Sequence, residues 1–243
     1  MKFSVKKRKV LWLGLLLVAD LFLLVFLLGD FDRKPGKYAQ TIGSAKVERA
    51  APEKEPAAEV KQIALTFDDG PNDTYTLPLL EGLRERGVKA TFFLLGQEVT
   101  ENPEIAKQIA TDGHMIGNHS FYHKDLSAMS TEEATTQVSL ANEVIFEVTG
   151  QYPQLIRPPF GRVPEDLVYE PPMVEALWTI DSRDWELSDV GTIMQNVLPH
   201  VQENAIILMH DASQSSVQAA LAIVDCLQER GYTFVTLDEI LFD

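Results

Sequence analysis

The apolar residues near the start of the chain form one continuous block. Residues 10–28 read VLWLGLLLVADLFLLVFLL, and only Gly14 and Asp20 interrupt their apolar character. A membrane-spanning helix needs about 20 apolar residues, and the residues before this block include five basic side chains and no acidic one. Because basic residues mark the cytoplasmic side, we predict a cytoplasmic basic tail at residues 1–9 and a transmembrane signal anchor at residues 10–29. A cleaved signal peptide, whose apolar part usually has about 7–15 residues, is the alternative.

The composition changes after the predicted anchor. Residues 30–60 are rich in Pro, Ala, Lys and Glu and contain few large apolar side chains, which is typical of linkers that do not fold alone. We therefore predict a flexible linker at residues 30–60 and a folded catalytic domain at residues 61–243. The charge bias before the anchor predicts a single-pass protein of the cell membrane with this domain outside the cell.

From Lys61 onward, short apolar runs alternate with amphipathic stretches. Parallel α/β architectures show this alternation, and the region is shorter than the roughly 250 residues of an eightfold barrel. We predict an irregular (β/α)7 barrel, with no full helix at residues 161–178, where Val-Pro and Pro-Pro occur. The seven predicted strands are QIALTF, ATFFLL, HMIGN, LIR, EALWTI, AIILMH and YTFVTL.

Charge and cysteine content narrow the possible classes of function. The formal net charge of the chain is -15, and an acidic surface does not suit nucleic-acid binding, which needs patches of Lys and Arg. We therefore expect no nucleic-acid partner, although such a surface attracts cations. Cys226 is the only cysteine, so the domain has no internal disulfide and depends on its core for stability.

Polar residues cluster just after the predicted strands. Barrel enzymes place their active sites at the carboxyl ends of the strands, where side chains from several strands converge. We therefore expect the polar residues at these ends to form one site. They are Asp68, Asp69, His119, His123, Arg157, Asp181, Asp184, His210 and Asp211.

The segment HSFYH carries two histidines that can face one centre. His119 and His123 lie four residues apart, and with a carboxylate from the first strand they make a set of two imidazoles and one carboxylate. Such a set holds a metal ion and leaves coordination positions open for water and substrate. Two ordinary loop histidines are the alternative, and we assign neither His114 nor His200 to the site.

Five segments of the chain, in order, strengthen the metal interpretation. They are TFDDGP at 66–71, GNHSFYH at 117–123, RPPFG at 157–161, DSRDW at 181–185 and IILMHD at 206–211. With these segments, the chain from Ile63 to the C-terminus resembles the polysaccharide deacetylases, the NodB-homology or carbohydrate esterase 4 family, whose five motifs occur in this order. The resemblance implies an α/β barrel and a metal-dependent deacetylase.

The resemblance also implies a role for individual residues. Asp69, His119 and His123 would bind a divalent metal, commonly zinc, with Co²⁺, Ni²⁺ or Mn²⁺ as alternatives. Asp68 would be the general base, and Arg157 would orient it.

The remaining motif residues would complete the catalytic and substrate-binding set. The backbone N–H of Phe160 would help form an oxyanion hole, Asp184 would tune His210 as the general acid, and Trp185 and Leu208 would shape a pocket for the acetyl methyl group. Phe160 stands where the family often has Tyr, a change of little consequence if the backbone N–H carries the role.

These expectations lead to one main hypothesis and a set of alternatives. The main hypothesis is a membrane-anchored hydrolase that removes N-acetyl groups from an amino-sugar polymer, with N-acetylglucosamine residues of peptidoglycan as the preferred substrate. Chitooligosaccharide, poly-N-acetylglucosamine and acetylxylan are alternative substrates. A non-catalytic glycan-binding protein on the same fold is a further alternative, but it predicts the loss of a base, an acid or a ligand, and none is lost here.

Overall fold

The computed structural model describes residues 61–242. The predicted basic tail, signal anchor and linker lie outside the described residues. Among the residues that are described, no helix combines the length and the apolar character needed to cross a membrane.

Eight parallel strands form a single sheet that curves into an incomplete barrel, as the α/β barrel prediction required. The strand order is β5-β4-β3-β2-β1-β7-β6, with β8 beside the first half of β1. The strands are β1 (Lys61–Asp68), β2 (Thr91–Leu94), β3 (Met115–Asn118), β4 (Leu155–Ile156), β5 (Val174–Glu175), β6 (Ile180–Asp181), β7 (Ala205–His210) and β8 (Tyr232–Val235).

Helices follow most of the strands and pack on the outside of the sheet. The longest one starts with a capping box between Ser130 and Glu133, in which each residue's side chain accepts a hydrogen bond from the other's backbone N–H. The helices are α1 (Thr76–Glu85), α2 (Gly96–Glu101), α3 (Pro103–Thr111), α4 (Thr131–Thr149), α5 (Val190–Val197), α6 (Gln214–Glu229) and α7 (Leu237–Leu241).

Strand β1 is the centre of the sheet and determines where the polar residues meet. Its residues from Ile63 to Asp68 are all buried, because the strand has sheet neighbours on both sides and helices outside. It pairs with β7 so that Asp68 lies opposite His210, and with β2 so that Asp68 lies opposite Phe93. This register brings the carboxyl ends of the central strands to the same edge.

One predicted strand is wrong. The sequence EALWTI was expected to form a single strand, but Val174–Glu175 pairs with β4 at one end of the sheet and Ile180–Asp181 pairs with β7 at the other. The four residues between them leave β5 and β6 unpaired with each other, so the barrel has a seam. At this seam, the Arg157 side chain donates hydrogen bonds to the backbone carbonyls of Ala176 and Leu177.

His114, which the sequence analysis did not assign to the site, has a structural role. It is buried, and its Nδ1 atom accepts a hydrogen bond from the backbone N–H of Ala90 at 3.1 Å. Burial lowers the pKa of His114 to about 4, so this imidazole is neutral at physiological pH and serves the packing of β2 against β3.

Candidate metal centre and active site

The predicted site residues come together at the carboxyl ends of the strands. Most of them line one cavity of about 410 Å³, while Arg157 and Asp184 lie behind its wall and contact Asp68 and His210. Asp211, which was also predicted to belong to the site, does not line the cavity and is buried against Thr76. The cavity is lined by Asp68, Asp69, His119, His123, Pro158, Phe160, Trp178, Asp181, Trp185, Leu208 and His210.

Asp69, His119 and His123 form a candidate metal centre in this cavity. The Oδ1 atom of Asp69 lies 3.3 Å from Nε2 of His119 and 3.4 Å from Nε2 of His123. This oxygen is buried and makes no hydrogen bond to any residue that the structure describes. Because a buried carboxylate oxygen without a partner is costly, the arrangement fits a cation held by these three side chains.

The protonation state of Asp69 suits ligation. Burial opposes ionisation of this carboxyl, but the neighbouring imidazoles, with His119 contributing most, outweigh it and lower the pKa of Asp69 to about 2. The carboxyl is therefore ionised at neutral pH, which is the form that binds metals.

His119 is oriented by a backbone carbonyl. Its Nδ1 atom lies 2.5 Å from the carbonyl oxygen of Arg157. A carbonyl oxygen only accepts hydrogen bonds, so Nδ1 carries the proton and the lone pair of Nε2 faces Asp69. The imidazole ring is buried, which keeps it in this orientation.

His123 reaches the same centre through a tight loop. Ser120 and His123 both have left-handed backbones, with φ of 66° and 53°. Asn118 supports this loop by accepting a hydrogen bond from the N–H of Ser120 at 2.7 Å and by donating to Asn142 on α4 at 2.7 Å. The sequence interpretation missed Asn118, although a polar residue that ends a buried strand directly before HSFYH was a usable signal.

Asp68 is held by a buried ion pair. Nη1 of Arg157 donates to Oδ1 of Asp68 at 2.8 Å and to Oγ1 of Thr66 at 2.8 Å. The Arg157 side chain is fully buried and lies 4.2 Å above the ring of Phe93. Thr66 was also missed, although it lies two residues before Asp68 and therefore on the same face of β1.

His210 lines the same cavity and is paired with Asp184. Its Nδ1 lies 2.8 Å from Oδ1 of Asp184, whose Oδ2 accepts the backbone N–H of His210 at 2.8 Å. Ser182, which the sequence interpretation did not select, also donates to Asp184 at 3.0 Å. Burial opposes the positive charge, but the hydrogen bond and charge of Asp184 outweigh it and raise the pKa of His210 to about 9.

The rest of the cavity wall is aromatic and aliphatic. Leu208 is buried on β7, whereas the side chain of Trp185 is exposed at the rim. Phe160 has a left-handed backbone with φ of 59°, and its ring lies 5.0 Å from that of His123. Trp178 also lines the cavity, but it lay inside a predicted strand and so was not selected from the sequence.

Known proteins resemble this chain in sequence and in fold. The family model for polysaccharide deacetylase matches residues 55–171. A peptidoglycan-N-acetylglucosamine deacetylase of Bacillus cereus is 39% identical over 190 residues, which cover 74% of this chain and 88% of that protein. The peptidoglycan-N-acetylglucosamine deacetylase PgdA of Listeria monocytogenes is 37% identical over 189 residues, which cover 78% of this chain but only 41% of the relative.

The fold is also found in a solved structure. The peptidoglycan deacetylase PdaC of Bacillus subtilis superposes with a TM-score of 0.73 and 36% sequence identity, over 75% of this chain and 91% of that structure. The sequence motifs, the fold and the relatives agree, and the chain belongs to the polysaccharide deacetylase family.

Proposed function

We propose that this chain is a metal-dependent hydrolase that removes N-acetyl groups from an amino-sugar polymer. The observation that carries the proposal is the arrangement of three groups around one cavity. The candidate metal centre shares its cavity with Asp68, which is paired with Arg157, and with His210, which is paired with Asp184. A base and an acid next to an electrophilic centre are the parts that amide hydrolysis needs.

Asp69, His119 and His123 are the residues that would hold the metal. Two imidazoles and one carboxylate suit zinc and also Co²⁺ or Ni²⁺, and we propose zinc. When bound, a divalent cation polarises the acetyl carbonyl and lowers the pKa of water in the site.

Asp68 is the proposed general base. Its carboxylate accepts a proton from the water molecule that attacks the acetyl carbonyl, and the ion pair with Arg157 keeps one oxygen fixed so that the other faces the cavity. The backbone N–H of Phe160 would donate a hydrogen bond to the oxyanion that develops during the attack.

His210 is the proposed general acid. An amide nitrogen leaves poorly until it is protonated, so the imidazole must carry a proton when the C–N bond breaks. The raised pKa of His210, about 9, keeps it charged at neutral pH. After His210 donates this proton to the nitrogen, acetate and a free amine leave the site.

The cavity wall accounts for recognition of the acetyl group. Leu208, Trp178 and Trp185 give it an apolar side, against which a methyl group can be buried while the polar atoms face the catalytic groups. The proposed pocket suits an acetyl group and leaves open which sugar carries it.

N-acetylglucosamine of peptidoglycan is the proposed substrate. The B. cereus and L. monocytogenes relatives, at 39% and 37% identity, are peptidoglycan-N-acetylglucosamine deacetylases. The predicted anchor at residues 10–29 and linker at residues 30–60 support a location at the cell membrane, with the catalytic domain extending into the wall. Chitooligosaccharide, poly-N-acetylglucosamine and acetylxylan are the competing substrates.

A parallel assay tests the substrate proposal. The full chain, loaded with zinc, is given peptidoglycan, chitooligosaccharides, poly-N-acetylglucosamine and acetylxylan at matched acetyl content, and released acetate is measured. We expect the highest kcat/KM on peptidoglycan. A preference for acetylxylan would refute the amino-sugar proposal, and no release from any of the four would favour the non-catalytic alternative.

A further inference from the structure

Asp211 is a buried acidic residue that the proposed chemistry does not use. It follows His210 and is only 1% exposed. Its Oδ2 atom accepts a hydrogen bond from the hydroxyl group of Thr76, the first residue of α1. It does not belong to the candidate metal centre, the one set of possible ligands found in residues 61–242. Burial raises the pKa of Asp211 to about 7, a sign that keeping this carboxyl group in the interior is unfavourable for the ionised form.

The Thr76 hydroxyl connects Asp211 to the turn after β1. The same oxygen that donates to Asp211 accepts a hydrogen bond from the backbone N–H of Asn72 at 2.6 Å. Two further hydrogen bonds hold this turn. The N–H of Leu95 donates to the carbonyl of Gly70 at 3.0 Å, and the amide of Asn102 donates to the carbonyl of Pro71 at 3.2 Å.

Asp211 also explains the glycine of the motif TFDDGP. A Cβ atom at Gly70 would lie 2.7 Å from Oδ2 and 2.9 Å from Oδ1 of Asp211, closer than nonbonded carbon and oxygen atoms approach. Gly70 is not among the described glycines with positive φ, so its backbone conformation alone does not require glycine. The first and last motifs of the chain are therefore packed against each other at this point.

We propose that Asp211 and Thr76 are positioning residues that hold the turn Gly70–Asn72 and thereby direct Asp69 toward His119 and His123. The reason lies in the backbone of Asp69, whose φ of 75° is in the left-handed region. A non-glycine residue persists there only when its surroundings enforce it. The inference rests on the proposed metal centre, but it concerns the affinity of that centre and not the hydrolysis.

Zinc affinity of the metal-free full chain, measured by titration calorimetry, tests this inference. Thr76→Val keeps the shape of the side chain but removes the hydroxyl that joins Asn72 to Asp211. We expect the zinc Kd to rise about 10–100-fold, the usual effect of losing a group that orients a metal ligand. Thr76→Ser keeps the hydroxyl, so its zinc affinity should remain close to that of the wild type.

Thr100→Val is the matched control. The hydroxyl of Thr100 donates a hydrogen bond to the carbonyl of Gly96 within α2 and, among residues 61–242, makes no hydrogen bond to the turn Gly70–Asn72, so this variant should bind zinc like the wild type. Wild-type affinity in Thr76→Val, or an equal loss in Thr76→Val and Thr100→Val, would overturn the inference.

A double-mutant cycle gives a second test that does not depend on the stability of Thr76→Val. Gly70→Ala should weaken zinc binding strongly in the wild type, because the new methyl group meets the Asp211 carboxylate. It should cost much less in an Asp211→Ala background, where that carboxylate is absent. Additive losses would contradict the proposed packing.

The zinc titrations also separate this inference from the proposed function. A wild-type chain that binds zinc but releases no acetate would refute the proposed function alone. A wild-type chain that binds no zinc would refute both.

Discussion

At the scale of single residues, Asp68 and Asp69 are adjacent in sequence but have different surroundings. Asp68 faces the guanidinium of Arg157 at 2.8 Å, whereas the left-handed backbone of Asp69 turns its carboxylate toward His119 and His123. Two carboxylates side by side repel each other unless positive groups separate their roles. Here a buried arginine compensates one, and the two imidazoles, with the proposed cation, compensate the other.

This division of roles predicts different effects for substitutions at Asp68 and His119. Asp68→Asn keeps the shape of the side chain but cannot accept the proton of water, so kcat should fall about 10²–10⁴-fold, the usual contribution of a general base, while bound zinc remains stoichiometric. His119→Ala should lose both zinc and turnover. Metal analysis and acetate release on the same samples distinguish the two. Normal turnover in Asp68→Asn would exclude Asp68 as the general base.

The pairing of His210 with Asp184 predicts a shift in pH dependence. The acid must be protonated to act, so activity falls as the pH rises through the pKa of His210, which the pairing raises to about 9. Asp184→Asn removes the negative charge and lowers this pKa, so the alkaline limb of the kcat/KM profile should move to lower pH. An unchanged alkaline limb would show that another group sets it.

At the scale of secondary structure, Arg157 has a second role at the seam between β5 and β6, in addition to its ion pair with Asp68. Its guanidinium donates to the carbonyls of Ala176 and Leu177, which lie between β5 and β6, and also to Asp68. One side chain therefore joins the open edge of the barrel to the catalytic base.

Because Arg157 binds both the seam and Asp68, we predict a large loss of stability when it is replaced. Arg157→Met leaves the buried Asp68 carboxylate without its partner, and breaking a buried ion pair in this way costs about 3–5 kcal/mol. Arg162→Met is the control, because its pair with Asp125 is exposed and such pairs contribute about 0–1 kcal/mol. Urea unfolding of both variants measures the difference. Equal losses would contradict a structural role for Arg157.

The seam also shows what the sequence pattern could and could not predict. The structure brings most of the motif residues to one cavity because parallel strands have their carboxyl ends at one edge of the sheet. The segment EALWTI was read as one strand because an apolar run does not reveal which neighbours its two halves will pair with. Asn118 and Thr66 escaped notice for a similar reason, since their partners Asn142 and Arg157 are 24 and 91 residues away.

At the scale of the whole molecule, the proposed location depends on residues 1–60. The apolar block at residues 10–28 and its basic flank support an anchor with the catalytic domain outside the cell. We expect the full chain to remain in the membrane fraction after a high-salt wash, and removal of residues 1–29 to release it. Recovery of the intact full chain in the soluble fraction would contradict the anchor, and recovery of a shortened chain would favour a cleaved signal peptide.

The proposed hydrolysis of N-acetyl groups depends on a metal held by Asp69, His119 and His123. The decisive measurement is acetate release from peptidoglycan by the full chain before chelation, after removal of the chelated metal and after addition of zinc. We predict that release stops on chelation and returns with zinc in the wild type, but not in His119→Ala. Acetate release that is indifferent to the chelator would refute the metal-dependent mechanism.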